Sequence, residues 1–418
     1  MIDLNNQEVY WKQKEKNAPA GERFAEEVNM DQERLKRVDS VLEEAVRTGE
    51  VAGCNALVLK DGKEAYYGQS GWADKETRQP MARNTIFRLF SMSKPITAAA
   101  AMILVERGQM DLLDPVEKFL PGFKNQTYIT KAGLQRVQEP MVIKDLLGMT
   151  SGLVYGGENG YAERRMQALW DEVQRDQAKG KELGTVDFAN RMGQMPLAFA
   201  PGSRWQYGTS ADVMGAVIEV ISGMHFGEFL KKEIFDPLGM EDTGFWIPEE
   251  KRGRFAQVYR PTEDGLAPYT DAHLCILPTY PHEPAFQSGG AGLLSTIEDY
   301  AKFASMLANE GEWNGVRILS RRTVRYMRRS QLTDDQKKTM QWASLRGHGY
   351  GNFMRVLEDE GQAPSLGGKG EFGWDGWLGA YFCVSPEDNL VLLYMMQKVD
   401  TGTVDVTRKV RSAVFAAL

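Results

Sequence analysis

Three cysteines and four histidines in 418 residues leave little material for disulfide or metal chemistry. Cys54, Cys275 and Cys383 are odd in number, widely spaced and form no CxxC pair. A disulfide framework is therefore not expected, and a reducing compartment is favoured. His225, His273, His282 and His348 show neither HxxxH nor HxH spacing, so no zinc ligand set is visible. No apolar run reaches the ~18 residues of a membrane span; the longest stretches, 96–105 and 390–396, are too short. The opening MIDLNNQEVYWKQKEKNAPAGERF lacks the apolar core of a signal peptide, so a cytoplasmic location is the expectation. Basic charge is not in excess: 50 Lys+Arg stand against 57 Asp+Glu, a formal charge of −7. A nucleic-acid binder would carry a basic stripe to displace counterions. The arginines at 321–329 are the local exception, and acidic residues elsewhere offset them. GxSxG is also missing, which removes the nucleophile elbow of α/β-hydrolases and leaves a Ser-His-Asp triad without an anchor.

What remains is an ordinary globular balance, 42% apolar and 26% charged, which excludes disordered and fibrous classes. A chain this long is expected to divide into lobes. Residues 1–20 read as a polar arm and 21–418 as one two-lobed unit. Leu35, Val38, Leu42, Ala45 and Val46 recur at helical spacing over 30–48. Two apolar-rich runs, 55–59 and 64–72, flank Asp61-Gly62, a strong hairpin signal. A second hairpin is expected from 380–384 and 390–396 around Pro386-Glu387-Asp388-Asn389, and a last helix over 404–418. Hairpins imply antiparallel pairing. The predicted fold is α+β: an antiparallel sheet built from both chain ends, about 21–115 and 287–418, flanked by helices. A mainly helical insert fills about 116–286, with candidates at 144–147, 165–175, 186–192 and 211–221.

Chemistry is best placed at IFRLFSMSKP, residues 86–95. Ser91 and Lys94 form Ser-x-x-Lys, and no other serine in the chain has a lysine three places on. PITAAAAMILVERG then reads as an apolar helix with a glycine stop. Ser91 is placed at that helix's start, where Lys94 shares its face and backbone N–H groups are free. A serine hydroxyl needs a base to become a nucleophile, and a lysine serves only when burial holds it neutral. The same pattern also arises as a serine cap with an exposed lysine, so context must decide. Tyr207, after the Pro201-Gly202 turn, can act as a phenolate-type base or pass a proton to a leaving group, or it can be a packing tyrosine. In FGWDGWLGAYF, Gly373, Gly376 and Gly379 imply close backbone approach, and an edge strand there can offer a second oxyanion N–H.

Five ordered segments, 85–121, 143–153, 201–223, 288–311 and 372–391, resemble the serine β-lactamase-like hydrolases. That family includes class C β-lactamases, DD-peptidases, D-aminopeptidases and the family VIII esterases, and the esterases are nearest in motif. The resemblance implies a β-lactamase/transpeptidase-like fold. It implies that Ser91 is the acyl-accepting nucleophile, Lys94 its basic partner and Tyr207 the proton shuttle. The backbone N–H groups of Ser91 and Trp377 would form the oxyanion hole. The Lys/His-Thr/Ser-Gly triplet of the family is Trp374-Asp375-Gly376 here, similar to the Trp-Gly-Gly of the esterases. Tyr207-Gly208-Thr209 stands where β-lactamases have Tyr-x-Asn, and Met149 replaces the usual His of the leucine-rich segment. An indole cannot bind a substrate carboxylate, and two like charges about 4 Å apart repel by several kcal/mol. A carboxylesterase acting on small or medium esters is therefore expected, with Trp374, Trp377 and Phe90 against an apolar acyl part. Weak β-lactam hydrolysis as a side activity is compatible with this nucleophile. No metal or cofactor is called for, and the partner is a small-molecule ester or amide, not nucleic acid or membrane. The alternatives are a D-amino-acid peptidase or amidase in which Asp375 attracts a substrate ammonium, a β-lactamase of the same superfamily, and a non-catalytic sensor.

Overall fold

A computed structural model describes residues 29–277 and 282–418. The arm expected at 1–20 lies outside the described residues. In chain order the elements that matter are α1 (Gln32–Arg47), β1 (Gly53–Lys60), β2 (Lys63–Asp74), β3 (Gln79–Pro80) and α2 (Ser93–Glu106). After them come α3 (Tyr161–Gln177), α4 (Thr185–Gly193), α5 (Ser210–Ser222) and α6 (Ile297–Ala308). The chain closes with β4 (His348–Gly351), β5 (Met354–Leu357), β6 (Phe372–Asp375), β7 (Tyr381–Ser385), β8 (Leu390–Met396) and α7 (Asp405–Phe415).

The eight strands form one antiparallel sheet in the order β4-β5-β6-β7-β8-β1-β2-β3. Its closing seam is β1 against β8, with Cys54 opposite Met396 and Lys60 opposite Leu390, so both chain ends share one sheet. The turn between β1 and β2 has Asp61 at φ 52° and Gly62 at φ 74°. Two successive positive φ values give a hairpin the twist of its strands. Alternation then sorts the side chains. Cys54, Ala56, Val58, Leu392, Tyr394 and Met396 pack against Leu35, Val38 and Leu42 of α1 and Val406, Val410 and Val414 of α7. Leu57, Leu59, Leu393 and Met395 face the opposite way, onto Tyr300, Phe303 and Leu307 of α6. Each buried Val, Leu, Met or Phe among them contributes about 1.5–3 kcal/mol.

α2 has no polar face: every residue from Ser93 to Leu104 is buried. A helix apolar all round belongs in an interior, and α2 packs there against α5. The helical insert holds Ile143–Leu147, α3, α4 and α5 where the apolar spacing predicts them. It also holds two hairpins that the reading of 116–286 as helical leaves out, Thr127–Thr130 with Gly133–Arg136 and Tyr259–Thr262 with Gly265–Pro268. β6 is not an edge strand, since β5 and β7 flank it. Its pairing with β5 covers only Phe372 and Gly373, however, so the Trp374–Asp375 end is open on that side. No single described helix is long and apolar enough to cross a membrane.

Candidate active site

Ser91 stands in a single 3₁₀ turn, Phe90–Met92, that runs straight into α2. Phe90 has φ 45°, a left-handed conformation that costs a non-glycine residue and persists where neighbours hold it. The neighbours are identifiable. Leu89 N–H donates to Leu293 O at 2.9 Å. The buried Tyr300 phenol of α6 donates to Met92 O at 2.8 Å. The Phe90 ring meets Trp377 edge-on at 5.0 Å, in a cluster with Val258, Ala291, Leu378 and Val399. Phe90 is 4% exposed, so it supports the turn and offers a substrate almost no surface, contrary to the expectation from sequence.

One turn on, Lys94 is fully buried. Its Nζ lies 3.0 Å from Ser91 Oγ, 3.0 Å from the Tyr155 hydroxyl and 2.7 Å from Gly290 O. Burial pushes the Lys94 ammonium down to about 7, against the opposing pull of Asp212 and Asp375. Near neutral pH a large fraction is therefore the free amine, which can accept a proton. Gly290 is itself fixed, because its N–H donates to Asp212 Oδ1 at 3.1 Å and the Ser288 hydroxyl donates to the same oxygen. Thr97 of α2 donates to Gly289 O at 2.7 Å. The sequence reading missed Tyr155, Asp212 and Gly290. Their roles come from tertiary approach, and no spacing to Ser91 announces them.

Tyr207 lies on the loop before α5. Gln206 N–H donates to Met149 O at 2.9 Å, and a Cβ on Gly208 would stand 2.1 Å from Leu153 O. Glycine at 208 thus lets the Tyr207 loop lie directly on the 149–155 segment. Met149 is fully buried with φ 55°, so the residue replacing histidine serves packing and, through its carbonyl, loop placement. Thr209 is also fully buried, and its Oγ1 has no hydrogen-bond partner among the described residues. The Tyr207 hydroxyl accepts from Trp374 Nε1 at 3.0 Å. Its ring centroid lies 4.7 Å from Lys94 Nζ. Burial pushes the Tyr207 phenol far up, so it stays protonated at neutral pH and suits a donor better than a phenolate base.

Strand alternation separates the two candidates on β6. Trp374 is buried on the Tyr207 side, its ring 5.4 Å from that of Tyr207 and 5.1 Å from that of Tyr350. Asp375 points the other way, to Arg355 Nη1 at 3.0 Å and the Thr403 hydroxyl at 2.7 Å. It is committed to that ion pair, which corrects its assignment as a substrate-binding residue. Gly376 adjoins the nucleophile segment: a Cβ there would stand 2.3 Å from Leu89 O. The chain after β6 therefore passes directly beside the turn that carries Ser91. Neither Ser91 N–H nor Trp377 N–H donates to another described residue. The Trp377 indole is anchored on Asp400 at 2.8 Å and stacks on His273 at 3.9 Å. Burial pushes the His273 imidazole down to about 4, so it is neutral at pH 7. Among the described residues, no group of three or more His, Cys, Asp or Glu is placed to share a metal ion.

The Beta-lactamase family model matches residues 38–416. The chain belongs to the beta-lactamase family. Esterase EstB of Burkholderia gladioli is 31% identical over 398 residues, covering 91% of this chain and 95% of that protein. The structure of EstCE1, described as a hydrolase with promiscuous acyltransferase activity, superimposes with TM-score 0.76 at 28% identity, covering 92% of this chain and 99% of that one. A putative D-alanyl-D-alanine carboxypeptidase of Salmonella typhi is 23% identical over 396 residues, covering 88% and 84%. Membership in the beta-lactamase family, with esterase and peptidase relatives, makes this protein a hydrolase of that fold.

Proposed function

We propose that this protein is a serine carboxylesterase working through a covalent acyl-enzyme. The observation that carries the reading is the buried Lys94 amine 3.0 Å from the Ser91 hydroxyl. Neutral Lys94 takes the Ser91 proton as Oγ attacks the ester carbonyl carbon. The carbonyl π electrons move onto oxygen, where the N–H groups of Ser91 and Trp377 receive the charge. When the tetrahedral centre collapses, the C–O bond to the alcohol breaks. The leaving oxygen takes a proton from the Tyr207 hydroxyl, which is restored from the Lys94 ammonium. Water then attacks the acyl-serine by the same route in reverse and releases the acid.

Esters are preferred because β6 offers no cation here: Trp374 is 1% exposed, so, contrary to the expectation from sequence, it backs Tyr207 and gives a substrate almost no surface of its own. Its only polar hydrogen is spent on Tyr207. The nearby cation on this sheet, Arg355, is buried and paired with Asp375. A carboxylate-bearing β-lactam or peptide thus has no evident anchor in this region. The peptidase alternative needs Asp375 free for a substrate ammonium, and that ion pair removes its support.

Turnover of p-nitrophenyl esters of increasing chain length, beside nitrocefin and D-alanyl p-nitroanilide, tests the reading. Short esters should be hydrolysed, and nitrocefin weakly or not at all. Ser91→Ala and Lys94→Ala should each lose about 10³-fold or more. Preferential turnover of the anilide, or near-wild-type rates in either variant, would contradict it.

A further inference from the structure

Trp342 is 45% exposed and lies in the 338–347 loop before β4. A single exposed tryptophan is unremarkable in itself. This one touches the proposed proton donor: its ring centroid is 5.2 Å from that of Tyr207, edge to face. It also meets Trp205 edge-on at 5.5 Å. Trp205 in turn packs on Tyr350 at 5.4 Å, and Tyr350 on Trp374 at 5.1 Å. The result is one aromatic wall, Trp342–Tyr207–Trp374, backed by Trp205 and Tyr350. Only its Trp342 end is strongly exposed to solvent.

The wall is built in advance of any ligand. Trp205 N–H donates to Thr339 Oγ1 at 2.9 Å, and Gln336 Nε2 donates to Gly202 O at 2.7 Å. Leu345 N–H closes the loop on Trp342 O at 2.9 Å. The first two bonds tie the start of the Trp342 loop to the segment that carries Tyr207, and the ring contacts with Tyr207 and Trp205 seat the indole. A fixed aromatic ring binds a flat apolar group without first paying to order itself.

The chemistry decides which half of the substrate meets it. On the acyl-transfer reading above, on which this inference rests, Tyr207 protonates the departing alcohol oxygen. The alcohol half must therefore lie on the Tyr207 side of Ser91, and the acyl half away from it. We infer that Trp342 walls an alcohol subsite, and that the preferred substrates are esters of aromatic or other flat apolar alcohols.

Benzyl acetate and ethyl acetate share an acyl group and have alkoxide leaving groups of similar basicity, so their ratio of kcat/KM reports alcohol binding. The wild type should favour benzyl acetate by about tenfold or more. Trp342→Ala should lower that ratio about tenfold, and Trp342→Phe should keep most of it. The ratio of ethyl phenylacetate to ethyl acetate, which varies the acyl half, should be the same in wild type and Trp342→Ala. An unchanged benzyl-to-ethyl ratio in Trp342→Ala would overturn the inference, as would a change confined to the acyl pair. Hydrolysis by Ser91→Ala at the wild-type rate would instead overturn the acyl-enzyme reading while the ratios still report the wall. A wild type inert to both acetates and to a fluorophosphonate would overturn both.

Discussion

Asp212 reaches Lys94 through a single backbone residue. Its Oδ1 accepts the Gly290 N–H at 3.1 Å, and the Gly290 carbonyl lies 2.7 Å from Lys94 Nζ. The carboxylate does two things at once. It fixes the carbonyl that aims the amine, and its negative charge opposes the burial that would otherwise drive Lys94 lower still. Glycine at 290 permits this close approach, since a Cβ there would stand 2.8 Å from Asp212 Oδ2.

The first consequence concerns pH. The base must be neutral, and burial places the Lys94 ammonium at about 7. kcat/KM should be flat above that value and fall roughly tenfold per pH unit below it. A profile measured from pH 5 to 9 with one neutral ester checks this. Activity undiminished at pH 5 would remove Lys94 as the base.

Asp212→Asn keeps the shape and an acceptor for Gly290 but deletes the charge. Lys94 should then lose its proton more easily, so the acid limb moves to lower pH. kcat should fall roughly tenfold, because a weaker base accepts the serine proton less readily. A purely structural Asp212 would cost stability and leave the limb where it was.

Lys94 also predicts a stability effect. Its folded-state value, about 7, lies below the ordinary 10.5. Between those values the unfolded chain binds more protons, so stability from this group rises with pH across that window. Below about pH 7 the penalty for a buried ammonium is present in full. Lys94→Met removes it, though it leaves Gly290 O unpaired. The variant should be more stable than wild type at pH 7, by about 2 kcal/mol, while being inactive. Its stability should also rise less steeply between pH 7 and 10. Denaturant unfolding at several pH values reads both effects, and a destabilised Lys94→Met would contradict the account.

Asp375 is expected to serve stability. Arg355 is 5% exposed in its side chain and Asp375 16%. Asp375→Ala leaves a buried guanidinium without its carboxylate and should cost about 3 kcal/mol. Amine-bearing and neutral substrates should lose activity equally. A selective loss on cationic substrates would return Asp375 to the binding site.

Much of the scaffold was legible because local rules carried it. Asp61-Gly62 between apolar runs fixed the first hairpin, and an unbroken apolar stretch after Ser91 marked the buried helix. The hairpin at 259–268 had an Asp264-Gly265 signal of the same kind, but its strands carry Arg260, Pro261 and Pro268 in place of alternating apolar residues. At the site, Ser91 and Lys94 were legible because one helical turn joins them. Tyr155, Asp212 and Trp342 were not, since each reaches the site from a separate segment through packing. Asp375 was misread for a different reason. A strand motif names residues in order, whereas strand alternation sends Trp374 and Asp375 to opposite faces.

Labelling with a fluorophosphonate, followed by mass mapping of the modified peptide, tests the central claim most directly. One adduct should form, on Ser91. It should vanish in Ser91→Ala and form far more slowly in Lys94→Met at pH 8. Labelling of Ser91→Ala at the wild-type rate, or no labelling of the wild type, would show that this serine is not the nucleophile.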